Sequence, residues 1–486
     1  MRTASSIVAE ANRATRWRHS LPALLMFAIL AIAPFPFGSV SPVVISTLCG
    51  IAGLAIAGLA LRPTALPLPM AFGAAVLVLI VAYLAVVFLQ LVPRQPGDAL
   101  IHPIWAEASE LLGQHLAGSA SIAKSQPFFA LGTPLLTLML FVGGYMCGAD
   151  DRLARRLIQT VAWAGGCYAM FAIGSFAIEP SMVLWEEKIA YTTSLTGTFT
   201  NRNAAAVYFG SISIIWLIIF SQRLEAKRKR RSRHFRPSRN WSRLRRFGVP
   251  LISFAVSLIA TLLSSSRAGV ACTFVGLLIV FTLTFRKTLS RPSRKWLVLC
   301  GAVFAILMIY LVLDSGVGDR LQNEGLDDGG RRATGLLSLL LMIFDFPWLG
   351  TGLGTFRWSF PAYRSGDASG WGVWDKAHNV LLEIATEGGV VLAALILLAW
   401  VVTIYVLLRA VVRNPRSPPL VRAALAVSSV AILHSFVDFS MQIPAYAITV
   451  AAVVGAGLAQ ALQPVEPAGH EVKVEVIAPP ATAGDR

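Results

Sequence analysis

Residues 69–91, PMAFGAAVLVLIVAYLAVVFLQL, run for 23 positions without a charged side chain. A helix rising about 1.5 Å per residue covers roughly 34 Å over that length, enough to cross the ~30 Å hydrocarbon layer of a bilayer. Such runs recur along the chain. Of its 486 residues, 56% are hydrophobic and only 14% charged, with a mean hydropathy of +0.66. That is more apolar surface than one soluble core buries, so the sequence predicts an all-α, polytopic membrane protein.

Working outward from 69–91, about 12 spans can be placed: 20–37, 41–61, 69–91, 127–147, 157–178, 203–221, 247–264, 268–285, 296–313, 388–408, 419–437 and 442–462. The first follows Arg13, Arg16 and Arg18 and has signal-peptide features, with AIA near residue 32. Counting it as a retained anchor makes the charge pattern downstream consistent.

That pattern sets the topology, because positive charge in short loops marks the cytoplasmic side. Every second loop carries it: the N-terminus, Arg62, DDRLARR at 150–156, KRKRRSRHFRPSRNWSRLRR at 227–246, RKTLSRPSRK at 286–295 and RAVVRNPR at 409–416. Both ends are expected inside, and the loops at 92–126, 179–202 and 314–387 outside. The expected organisation is a cytoplasmic N-terminus at 1–19 and a membrane domain at 20–462, with its long loop at 314–387 between spans nine and ten. A disordered cytoplasmic tail at 463–486 completes it. The +17 net charge lies mainly in the inside loops, which argues for topology rather than nucleic acid. Cys49, Cys147, Cys167, Cys272 and Cys300 stand singly in or beside apolar stretches, so neither disulfides nor a cysteine metal site are expected. No cofactor motif appears: GTGLG at 350–354 lacks the strand-turn-helix setting of a dinucleotide fingerprint and reads as a turn beside the membrane.

Arginines in outside loops run against the charge bias. Arg267 lies in SSSRAG, the tight turn between spans seven and eight; it either snorkels to lipid phosphate or points inward and binds an anion. Arg202, between Asn201 and Asn203 in TGTFTNRNAAA, opens span six, where the asparagines either cap the helix or join a polar site. Arg331 and Arg332 lie in the long loop, ahead of an apolar stretch at 335–346 that is too short to span. In WDKAHNVLLEIATEGGVVLAAL, residues 374–395, His378 and Asn379 precede span ten by about ten residues, and Glu383 and Glu387 follow at helical spacing. His434 and Asp438, in HSFVDFSMQIPA, stand toward the outer end of span eleven. They support the site from behind, bind an acceptor or form a structural pair. Residues 101–116 have helical apolar spacing, expected to rest on the outer membrane surface and help shape an acceptor groove.

Four motifs in order, GTFTNRNAAA, SSSRAG, RRATGLLSLLLMIFDFPWLGTGLGTF and HNVLLEIATEGGVV, resemble the O-antigen ligase and O-antigen polymerase superfamily of bacterial inner-membrane glycosyltransferases. The resemblance covers roughly residues 190–440. It implies an all-helical enzyme of the GT-C type that takes a glycan from an undecaprenyl-pyrophosphate carrier and joins it to a hydroxyl on a glycan, lipid or protein acceptor. It further implies that Arg267 and Arg332, with Arg331 as the rival of Arg332, contact the pyrophosphate, and that His378 sits by the reacting centre. Arg202, Asn201, Asn203, Asn379, His434 and Asp438 are the expected substrate-binding positions. A metal-free, inverting transfer at the periplasmic face is the expected chemistry, with ligase and polymerase equally compatible. A polysaccharide transporter or flippase is the alternative, but such proteins tend to show internal repeats, and none is visible here. An envelope scaffold protein would not need arginines gathered on one face.

Overall fold

The structure is a computed structural model that describes residues 21–61, 69–95, 98–231, 244–285, 325–364, 373–414 and 417–463. Its helices are α1 (Leu21–Ile32), α2 (Pro42–Ala60), α3 (Met70–Leu91), α4 (Ile104–Leu112), α5 (Gly132–Gly148), α6 (Asp151–Ile178) and α7 (Arg202–Arg231). They continue as α8 (Val249–Leu263), α9 (Arg267–Phe285), α10 (Gly325–Asp345), α11 (Val380–Gly388), α12 (Val390–Arg413), α13 (Pro419–Ser435) and α14 (Pro444–Ala461). Among the described residues the one sheet is a two-stranded hairpin, β1 (Met182–Val183) with β2 (Glu186–Glu187), in the loop between α6 and α7.

Among the described residues nine helical stretches are long and apolar enough to cross a membrane, α5 and α8 being counted with the turns that precede them as Gln126–Gly148 and Arg246–Leu263. Two expected spans fall short of that length: α1 and α13. The expected span 296–313 lies outside the described residues. The expected span 388–408 is α12, which starts at Val390 because Gly389, with φ 85°, breaks the chain between it and α11. A side chain at Gly389 would strike the Trp348 carbonyl, so the break and the close approach of 347–348 require the same glycine.

The core lies where α7, α13 and α14 are almost wholly buried. Small residues let backbones meet there, as helix pairs in membranes require. Gly144 and Gly148 of α5 sit against the Ala452 and Ala456 backbone of α14, and Gly455 answers against the Phe141 carbonyl. Between α7 and α9 the same device fixes register: Ala206 lies beside Gly269, Thr273 beside Gly210, and Ile214 beside Gly276. Residue numbers rise together along this ladder, so α7 and α9 run parallel and begin at the same end of the bundle.

Helix α13 runs the other way. Its first turn places Arg422 Nη1 3.5 Å from Glu225 Oε1 of α7 and 3.4 Å from Thr284 Oγ1 of α9, both near the far ends of those helices. Farther along, Gly276 of α9 lies beside Val430 of α13. The end of α13, with His434, therefore lies with the starts of α7 and α9.

Candidate active site

Three helix termini converge at that end. Asn201 Oδ1 accepts from the Asn203 and Ala204 amides at 2.7 and 3.1 Å and caps α7, the role its residue type favours. Ser266 Oγ accepts from the Gly269 amide at 3.2 Å and caps α9. The Leu195 amide donates to the Leu263 carbonyl at 3.1 Å, tying the segment before α7 to the end of α8. Arg202 and Arg267 thus open adjacent parallel helices. Arg267 is exposed and makes no ion pair or hydrogen bond with the described residues. Arg202 lies 4.8 Å from the centre of the Tyr191 ring, with Nη1 3.4 Å from Ser194 Oγ. Asn203 is half-buried in the first turn of α7.

His378 reaches the same place from the loop before α11. Its Nδ1 lies 3.1 Å from Oδ1 of Asp438, which is buried just beyond α13. Phe439 meets the imidazole edge-on at 5.1 Å between ring centres, with Trp374 farther off at 6.3 Å. Burial pushes the Asp438 carboxyl up. The hydrogen bond and charge of His378, together with the Phe439 amide, outweigh that and hold it below the usual carboxylate range. The Tyr191 hydroxyl is pushed up by burial and by the Asp438 charge and drawn back by Arg202, which puts all three groups within electrostatic reach of one another.

The polar residues around His378 hold it in place. Its backbone has φ 53°, the left-handed region that few residues other than glycine adopt. Glu383 fixes one side: Oε2 accepts from the Ala377 amide at 2.8 Å and Oε1 pairs with Lys376 Nζ at 3.2 Å. Asn379 fixes the other, capping α11 through the Leu382 amide at 3.1 Å and donating from Nδ2 to the Phe436 carbonyl at 3.0 Å. Glu387 Oε1 accepts from the Phe356 amide at 2.8 Å. Burial and the nearby Glu383 push its carboxyl up to about 7.

The glycine-rich stretch at 350–354 is a turn, as expected, with Gly350, Gly352 and Gly354 at φ 63°, 114° and 75°. Gln90, fully buried at the end of α3, grips it. Nε2 donates to the Leu349 and Glu387 carbonyls at 2.6 and 2.8 Å, and Oε1 accepts from the Leu353 amide at 2.9 Å. Sequence reading passed over Gln90, although a lone amide in an apolar run is a signal in its own right. Tyr191 was missed too, and nothing near it in sequence marks it. Arg331 and Arg332 fall on the backbone of α10; the contacts of their side chains lie outside the described residues. His434 is wholly buried, with Nδ1 3.1 Å from Ser440 Oγ. Among the described residues no group of three or more His, Cys, Asp or Glu side chains is placed to hold a metal ion.

Residues 252–398 match the O-antigen ligase family. The matched segment is just under a third of the chain and contains Arg267, Arg331, Arg332, His378 and Asn379. Tyr191, Arg202 and Asp438, which complete the cluster, lie on either side of it. A search of curated proteins gave no match. The O-antigen ligase match and the apolar helices together describe a multi-pass membrane protein with a glycosyltransferase-like segment.

Proposed function

We propose that this chain is a glycosyltransferase of the bacterial inner membrane that moves a glycan from an undecaprenyl-pyrophosphate carrier to an acceptor hydroxyl at the periplasmic face. Both termini are cytoplasmic, and residues 20–462 form the membrane domain with its long periplasmic loop at 314–387. The observation that carries this reading is the meeting of Arg202, Arg267 and the His378–Asp438 pair at one end of the bundle, around a segment of the O-antigen ligase family.

No nucleotide sugar reaches the outer face of that membrane, so the donor arrives already activated on a membrane-held leaving group. Arg267 and Arg332, with Arg331 and Arg202 beside them, bind the pyrophosphate. The acceptor oxygen attacks the anomeric carbon opposite the carrier as the C–O bond to phosphate breaks, which inverts the anomeric configuration. Asp438 keeps the proton of the imidazole on Nδ1, so Nε2 takes the proton of the acceptor hydroxyl. Charge grows on the departing diphosphate, and guanidinium groups already in place stabilise it more than they stabilise the bound donor. His434, Asn201, Asn203 and Asn379 shape the pocket wall. No metal is required by this scheme.

The test is alanine substitution of Arg267 and of His378 in cells lacking the native gene, read by glycan analysis with membrane insertion checked in parallel. Each variant is expected to lose transfer by about a hundredfold or more; near-normal product from either one overturns the assignment. The deletion itself separates two outcomes. Loss of all long polymer identifies a repeat-unit polymerase, and polymer accumulating on its carrier identifies a ligase.

A further inference from the structure

His434 and Asp438 stand one helical turn apart at the end of α13. The Asp438 amide donates to the His434 carbonyl at 2.9 Å across the turn that closes α13, which folds the two residues onto each other. Both residues are buried, at 0% and 2% exposure. Of their four polar side-chain atoms, two are engaged: His434 Nδ1 with Ser440 Oγ at 3.1 Å, and Asp438 Oδ1 with the Phe439 amide at 2.7 Å and His378 Nδ1 at 3.1 Å. The other two, His434 Nε2 and Asp438 Oδ2, are buried and have no hydrogen-bond partner among the described residues. Buried polar atoms are rarely left so, and these two are complementary, since one can donate and the other can only accept.

We propose that His434 is a positioning residue: Ser440 donates to Nδ1, the ring proton stays on Nε2, and Nε2 donates to Asp438 Oδ2 through one buried water. The carboxylate is thereby held in the orientation that receives His378. This rests on the reading of His378 as the proton acceptor and gives His434 a role without substrate contact. The other ionisable groups facing the pair are Tyr191 and Arg202 from the segment before α7 and through its first residue, and His378 itself.

The rival account is that His434 matters only for its bond to Ser440. Two substitutions separate them. His434→Gln places an amide N–H near the position of Nε2, whereas His434→Asn keeps a polar atom near Nδ1 and loses the donor toward Asp438. The readout is the pH profile of carbethoxylation of His378 by diethyl pyrocarbonate in the purified full-length protein, followed by peptide mass spectrometry. The reagent acylates neutral imidazole; the His378 side chain is 51% exposed, and His434 is shielded. Without the Nε2 donor, the proton of His378 alone compensates the carboxylate, so the imidazole holds that proton more tightly.

His434→Asn, and the apolar His434→Phe as a second donor-less variant, are expected to move the profile to higher pH and slow the reaction about three- to tenfold at pH 7. His434→Gln is expected to follow the wild type, and Asp438→Asn to move the profile to lower pH. A wild-type profile for His434→Asn, or a Gln variant shifted as far as or farther than the Asn variant, overturns the role of His434 and leaves the His378–Asp438 pair standing. No change in Asp438→Asn sinks that pair, and the role of His434 with it.

Discussion

A histidine forced to φ 53° separates two kinds of damage at residue scale. His378→Gly keeps the backbone free to adopt that conformation and removes only the imidazole. It is expected to cost about a hundredfold or more in transfer with an unchanged melting temperature in detergent. His378→Ala keeps the Cβ and with it about 1 kcal/mol of left-handed strain that the glycine variant lacks, so it melts lower than His378→Gly. If the two variants melt alike, the loop around His378 is not as constrained as Glu383 and Asn379 make it. Arg267→Lys keeps the charge and loses the planar fork, so it is expected to recover only part of the activity lost in Arg267→Ala, measured on the same glycan products. These two candidate groups were legible in the sequence, because Arg267 and His378 stand in short motifs at helix ends. Their partners were less so. Asp438 is 60 positions from His378, and only its place in an apolar run marked it; Tyr191, a tyrosine in a loop, carried no mark at all.

Helix α11 is the element that carries the histidine, and its glutamates give it a pH dependence. The Glu387 carboxyl is raised from its ordinary 4.5 to about 7 by burial and by Glu383. Between those two values the folded chain keeps a proton that the unfolded chain has released. The associated stability is fully present below pH 4.5 and is lost as pH rises through about 7. Melting temperatures across that window should fall for the wild type and fall less for Glu387→Gln, which keeps the shape and cannot ionise; parallel curves would refute the assignment. Gly389→Ala should melt lower than the wild type as well, by a margin worth at least about 1 kcal/mol, since φ 85° and the Trp348 carbonyl both oppose a side chain. The break ahead of α12 was half visible: the paired glycines at 388–389 stand in plain view. The carbonyl they make room for comes from residue 348, which periodicity along one helix does not reveal.

For the whole molecule, the parallel course of α7 and α9 and the reversed course of α13 put the termini that carry the candidate site at one end. In a variant freed of native cysteines, Ser265→Cys and Val373→Cys are expected to react with a membrane-impermeant maleimide from the periplasmic side, and Arg413→Cys only after the membrane is opened. Labelling of 265 and 373 from opposite sides would dismantle the site. Hydropathy found the apolar helices because crossing a bilayer is a property of each segment alone. Which helices touch is a property of pairs, decided by small residues such as Gly210 and Gly269 meeting a partner far away in sequence, and a single sequence does not display it. Gln90 illustrates the reach of such a meeting. Its amide binds main-chain atoms of residues 349, 353 and 387 and no side chain among them, so it holds the curve of the chain by its backbone. Replacing the glutamine itself is expected to release the turn at 350–354 and the end of α11 from α3, though it stands outside the matched segment.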